Sequence, residues 1–176
     1  KRVVGTQGGA RIAYDRLILA PGIDFMTGLI EGYDAGEAAG KVLHAWRQGP
    51  SLAETQAVLL RRQLEAMPDG GVFVIASPPP PGRCVSGPYE RASLVAHYFK
   101  QHKPKSKIIM LDAHFDVVSK GPMFKAAWKR FYPGMIEHRP YNLVTRVDHK
   151  NMVVTSEFED VKADVINIIP KQRAAE

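Results

Sequence analysis

The sequence predicts an α/β fold: a Rossmann-like, three-layer domain with a parallel sheet and a β-meander. Three observations carry this. Apolar, β-branched runs at Val72-Phe73-Val74-Ile75-Ala76, Ile108-Ile109-Met110-Leu111 and Val165-Ile166-Asn167-Ile168-Ile169 read as strands buried on both faces. Segments of helical period alternate with the first two. Short strands separated by turns follow before the last run.

Element by element, Val3-Val4, Gly8-Gly9 and Ala10 to Tyr14 predict a β-hairpin. Tyr14-Asp15-Arg16-Leu17-Ile18-Leu19-Ala20-Pro21-Gly22 predicts a short buried strand stopped by Pro-Gly. Residues 23–50 are glycine-rich without a clean period and predict loop with one short helix. Ser51-Leu52-Ala53-Glu54 has capping-box spacing, and Leu52, Leu59, Leu60, Leu64 and Met67 recur near helical period until Pro68-Asp69-Gly70. A proline-rich loop from Ser77 to Gly87 follows the strand at 71–76. Pro88 then suits the first position of a helix with Ala92, Val95, Ala96 and Phe99 on its apolar face. Lys107 to Leu111 is a strand ending at Asp112. Phe124, Ala127, Trp128 and Phe131 mark a third helix after Pro122. Met135 to Arg139, Leu143 to Val147 and Met152 to Ser156 predict the short strands, and Ala163 to Ile169 the returning one.

Composition bounds the function. The chain has 176 residues, 45% hydrophobic and 24% charged, enough to bury a core unaided. One cysteine excludes an internal disulfide framework and an all-cysteine metal cage. No apolar run approaches the roughly 18 residues of a membrane span. The chain opens at Lys1-Arg2-Val3-Val4, so targeting is not read from it. A net charge of +6 permits a nucleic-acid partner, yet its densest run, Lys100, Lys103, Lys105 and Lys107, lies at a helix end, where cations complement the dipole and solubilise a loop. His44, His97, His102, His114, His138 and His149 lack metal-ligand spacing and read as structural or surface residues.

The loop after the strand at 71–76 is where a dinucleotide-binding domain carries its glycine-rich phosphate turn. Here it reads Ser77-Pro78-Pro79-Pro80-Pro81-Gly82-Arg83-Cys84-Val85-Ser86-Gly87-Pro88, and proline has no N–H to offer a phosphate. Asp112 holds the strand-end position of a ribose-binding acid; without the glycine motif it reads as a turn-making residue. The fold points to NADH and the loop argues against it. The loop offers Cys84 instead, beside Arg83 and just before a helix N-terminus, a setting that favours the thiolate. Six residues on, Glu90 brings a carboxylate toward the thiol as a proton acceptor. The plainer readings stand beside these: a small buried cysteine and a glutamate that stabilises the helix start.

Certain stretches resemble a known family. Tyr14 to Gly22 resembles the strand and turn of the two-dinucleotide-binding-domain flavoproteins, the glutathione-reductase-like superfamily. Gly22-Ile23-Asp24-Phe25, Leu64 to Gly71, Arg83 to Tyr98, Tyr132-Pro133-Gly134-Met135-Ile136-Glu137 and Val165 to Pro170 resemble the flavoprotein subunit of flavocytochrome c sulfide dehydrogenase.

The resemblance implies an FAD/NAD(P)-binding type of fold, FAD as cofactor, sulfide as substrate, a c-type cytochrome as partner and a periplasmic location. It implies that Cys84 is one of two redox cysteines facing the flavin and that Glu90 serves proton transfer. Ala20, Pro21, Gly22, Pro170 and Gln172 would lie against FAD. Val85-Ser86 and Lys171 stand where the family usually has prolines, and the N-terminal glycine-rich FAD motif is absent.

The expectation is therefore the middle of a longer protein, inactive and poor in FAD binding by itself. Residues 1–50 would be the end of a split FAD domain plus a linker. Residues 51–170 would form an NADH-binding-like Rossmann domain, and 171–176 would start the return. The second cysteine would lie outside the chain. Weighed against this are a sulfide:quinone reductase, an NADH-dependent disulfide or quinone reductase, and a non-catalytic protein- or nucleic-acid-binding domain.

Overall fold

A computed structural model describes residues 2–46, 51 and 55–175. The expected hairpin forms from β1 (Val3–Gly5) and β2 (Arg11–Ala13), antiparallel with Val4 opposite Ile12. The strand expected within Tyr14–Gly22 does not form. Leu17, Ile18 and Leu19 are 45%, 91% and 79% exposed. The run has strand-like composition, but no strand edge lies beside it among the described residues, and an unpaired strand has no reason to persist.

Residues 23–46 hold more structure than the expected loop and single helix. β3 (Ile23–Phe25), a 3₁₀ turn at Thr27–Leu29, α1 (Tyr33–Ala38) and β4 (Val42–Leu43) follow in order. Leu52, Ala53 and Glu54 of the expected capping box lie outside the described residues. The helix α2 (Gln56–Ala66) is capped by Thr55, whose extended backbone lets its hydroxyl accept from Val58 N at 3.4 Å. It buries Leu60 and Leu64.

β5 (Val72–Ser77), α3 (Gly87–His102), β6 (Lys107–Asp112) and α4 (Gly121–Phe131) follow as expected. In α4 only Gly121 and Trp128 are buried, and Phe131 is exposed. β7 (Ile136–Arg139) is not a meander strand: it pairs parallel to β6, extending the main sheet. The meander is instead β8 (Val144–Asp148), β9 (Val153–Ser156) and β10 (Asp160–Lys162), and its last strand had no sequence signal. β11 (Val165–Ile168) inserts parallel between β4 and β5, giving the five-stranded order β4-β11-β5-β6-β7. β12 (Gln172–Ala174) closes back on β3, antiparallel.

Alternation along β5 explains the layers. Phe73 and Ile75 face one way, into a core with Leu60, Leu64, Ala92, Phe99 and Trp128 of the helices. Val74 and Ala76 face the other, against Ile30, Tyr33, Val144, Val147 and Val154 of α1, the segment before it and the meander. The result is a three-layer arrangement of helices, parallel sheet and meander. Gly32 permits the close approach of α1 to the meander. Its φ is +78°, and a Cβ there would lie 2.3 Å from the Val147 carbonyl oxygen. Among the described residues, no helix is long and apolar enough to cross a membrane.

Candidate functional site

In an α/β sheet of this kind, ligands sit outside the carboxyl ends of the strands. Two clusters occupy that edge here. The first centres on Asp112 at the end of β6, which is fully buried. Its Oδ1 accepts from Ser77 Oγ, from His114 N at 3.1 Å and from His114 Nδ1 at 2.9 Å. Its Oδ2 accepts from Tyr89 Oη at 2.8 Å and His138 Nε2 at 2.9 Å. A carboxylate only accepts, so both ring nitrogens carry the proton. Burial works to raise the Asp112 pKa, but the hydrogen bonds from His138, Ser77 and His114 outweigh it and hold the carboxyl down at about 2. Burial, and then the charge of Asp112, push the Tyr89 phenol upward.

Asp112 does make the expected turn, through His114 N. Its oxygens are filled from inside, which leaves none facing a ribose. The two histidines are structural, as expected, but their convergence on Asp112 was not read. His114 stands two residues after an Asp, a turn spacing that could have signalled it. His138 arrives through the β6–β7 register opposite Met110, for which the sequence gives no sign.

The second cluster surrounds Cys84. The loop turns at this residue, with Gly87 N donating to Cys84 O at 3.1 Å, and α3 begins at Gly87. A Cβ on Gly87 would lie 3.1 Å from Cys84 Sγ and 3.3 Å from Trp46 Cζ2, so the thiol and the indole both rest on the first residue of the helix. Cys84 is exposed. It shares a cavity of about 830 Å³ with Ile23, Asp24, Phe25, Trp46, Glu90 and Arg91, among others. Glu90 accepts from Ser86 Oγ at 2.8 Å across the first turn of α3. Cys84 and Glu90, six apart in sequence, thus open onto one space.

The segments expected to face a flavin meet at the same place. Pairing of β3 with β12 sets Phe25 opposite Gln172 and Ile23 opposite Ala174. Gly22 O accepts from Ala175 N at 3.3 Å, which brings the exposed Ala20-Pro21-Gly22 stretch beside the chain that follows buried Pro170. Gln172 Oε1 accepts from Arg83 N at 2.8 Å and so ties β12 to the cysteine loop. Gln172 Nε2 is buried with no partner among the described residues.

Arg91 escaped the sequence reading. Its Nη1 donates to His44 O at 2.7 Å and Asn167 Oδ1 at 3.1 Å, and its Nη2 to Ala45 O at 3.3 Å. Burial lowers its pKa from the usual value, and the charge of Cys84 opposes this. Partners so distant in sequence left no local signal.

A family model described as the central part of the sulfide dehydrogenase (flavocytochrome c) flavoprotein chain matches residues 57–170. The chain belongs to that family. The match spans α2 through β11 and includes Cys84, Glu90 and Arg91. The family places the domain among flavoprotein oxidoreductases.

Solved structures share its fold. One is a chain of the Tetrahymena thermophila mitochondrial ATP synthase, at 15% identity and TM-score 0.59, covering 98% of this chain and 44% of that one. Another is the water-forming NADH oxidase from Lactobacillus brevis bound to NADH, at 14% identity and TM-score 0.57, covering 93% of this chain and 32% of that one. At such identities the likeness concerns the fold alone. The chain spans less than half the length of either.

Proposed function

We propose that this domain is the central part of an FAD-dependent sulfide dehydrogenase in which Cys84 takes up sulfur from sulfide and electrons pass to a c-type cytochrome. The observation that carries the reading is the shared cavity of Cys84 and Glu90, walled on one side by β3. In this reading residues 1–50 hold the end of a split FAD domain and a linker whose β4 joins the parallel sheet, 51–170 form the rest of a Rossmann domain, and 171–176 begin the return.

The residues present fit a flavin. Gln172 Nε2 is a buried donor in need of an acceptor. Gly22, at φ +89° with open space around it, leaves room for close approach of a ring system. Ala20, Pro21, Gly22, Pro170 and Gln172 would hold the group. FAD, when bound, supplies a two-electron sink. In the full-length protein Cys84, joined in a disulfide to the second redox cysteine, presents its sulfur at an exposed turn; hydrosulfide bonds to it as the disulfide breaks, and the second cysteine leaves as a thiolate with the electron pair. Glu90 takes the proton that hydrosulfide loses as that bond forms, and Ser86 orients the receiving carboxylate. Trp46 and Phe25 line the cavity beside the reacting sulfur.

NADH is disfavoured as donor to this domain. Pro78 to Pro81 offer no N–H to a pyrophosphate, and Asp112 offers no free oxygen to a ribose. Anaerobic addition of sulfide to the full-length protein should bleach its flavin, and cytochrome c should reoxidise it. Bleaching by NADH in place of sulfide would overturn the reading. Reoxidation by a quinone but not by cytochrome c would move the protein to the quinone-linked alternative. Export to the periplasm is checked by fractionating cells that express the full-length gene.

A further inference from the structure

Arg91 is a half-buried cation that pairs with no carboxylate among the described residues. Its three hydrogen bonds go to two backbone carbonyls and an amide oxygen, all neutral. Asn167, which holds it, donates in turn to Leu43 O, so the guanidinium is fixed to the ends of β4 and β11. The Nε hydrogen and one Nη2 hydrogen have no protein partner among the described residues. Desolvated charges are normally paired.

Neither acidic group facing the same cavity pairs with Arg91: Asp24 is held by Arg173 at 2.9 Å, and Glu90 accepts from the Ser86 hydroxyl. The other cation there, Arg83, is exposed and makes no ion pair among the described residues, whereas Arg91 is anchored at three points. A rigid, unneutralised guanidinium with spare donors beside a thiol is a site for a small anion.

We propose that Arg91 is the anion-binding residue of the Cys84 cavity, holding hydrosulfide beside the Cys84 sulfur while it attacks the disulfide to the second redox cysteine, which leaves as a thiolate, and then holding the anionic persulfide left on Cys84. The identity of the anion rests on the function proposed above; the anion site itself does not. Uncharged hydrogen sulfide gains nothing from the guanidinium, so Arg91 selects the ionised form of the substrate.

The test compares two alkylating reagents on the reduced full-length protein. Iodoacetate and iodoacetamide differ chiefly in charge and meet the same thiolate, so the ratio of their rates at Cys84, read by mass spectrometry of its peptide, cancels the ionisation of the thiol. The wild-type ratio should exceed that of free cysteine in the same buffer. Arg91→Gln should lower it about tenfold, and Arg91→Lys should retain most of it. A wild-type ratio no greater than that of free cysteine overturns the proposal, and this measurement needs no variant to fold. An unchanged ratio in folded Arg91→Gln overturns it equally.

Sulfide kinetics separate the two readings. A raised ratio without sulfide bleaching keeps the anion site and removes the sulfide function. Bleaching with an ordinary ratio does the reverse. With both in place, Arg91→Gln should raise KM for sulfide and flatten its fall with rising pH, a change that a merely structural role would not produce.

Discussion

The two clusters at the carboxyl edge of the sheet lie either side of α3 and treat charge in opposite ways. Asp112 is buried and receives five hydrogen bonds, three on one oxygen and two on the other. Arg91 is anchored only by neutral oxygens and opens onto a large cavity with Cys84 and Glu90. A saturated charge serves architecture, since any ligand would have to displace protein donors. A charge left half-satisfied beside an exposed cysteine is available for binding. The same strand ends that would cradle a dinucleotide therefore hold a structural knot on one side and an open chemical site on the other.

Substitutions can break this contrast from either side. The largest effect is expected for Cys84→Ser: sulfide-dependent flavin bleaching in the full-length protein should disappear while the urea midpoint stays unchanged. Asp112→Asn should do the reverse. It places an amide among committed donors and should cost about 3 kcal/mol in urea unfolding, leaving the alkylation ratio at Cys84 intact in the folded fraction. Loss of that ratio in a folded Asp112→Asn protein would show that the clusters are coupled. Glu90→Gln should slow sulfide oxidation about 100-fold with no change in the melt. Thr55→Ala should cost only about 1 kcal/mol by removing the cap of α2.

Acid sharpens the same contrast. The folded pKa of Asp112, about 2, lies below its ordinary value of 3.8. Its contribution to stability is therefore complete above the ordinary value and is lost as pH falls through the folded one. The urea midpoint should drop between pH values of about 4 and 2. Asp112→Asn should flatten that part of the profile.

Which features were legible follows from how local their causes are. β5, β6 and β11 announce themselves because strands buried on both faces are continuous apolar runs. The same signal misled at Leu17-Ile18-Leu19, where composition suits a strand but no edge pairs with it. Val42-Leu43 is too short to register, although it completes the parallel sheet. β3 and β12 carry Asp24 and Arg173, whose ion pair makes sense only once the two ends of the chain meet. In the site, Cys84 and Glu90 were readable because both follow from one loop and one helix start. Arg91, the next residue after Glu90, was not, because the carbonyls of His44 and Ala45 and the amide of Asn167 give it its meaning. Asp112 was readable as a strand-end acid; the partner on β7 came from sheet register alone.

The ribbon of β3 and β12 has a mechanical consequence. The strand that leads into the Rossmann layers and the strand that leads out run antiparallel, with Ile23 and Ala174 paired at the open end. Tension applied at residues 22 and 175 loads these pairs one after another, like a zipper, before it reaches the parallel sheet. Ile23, Asp24 and Phe25 are also a wall of the cysteine cavity. A pull between whatever flanks this domain is thus felt first at the cavity wall, while the sheet behind it stays shut.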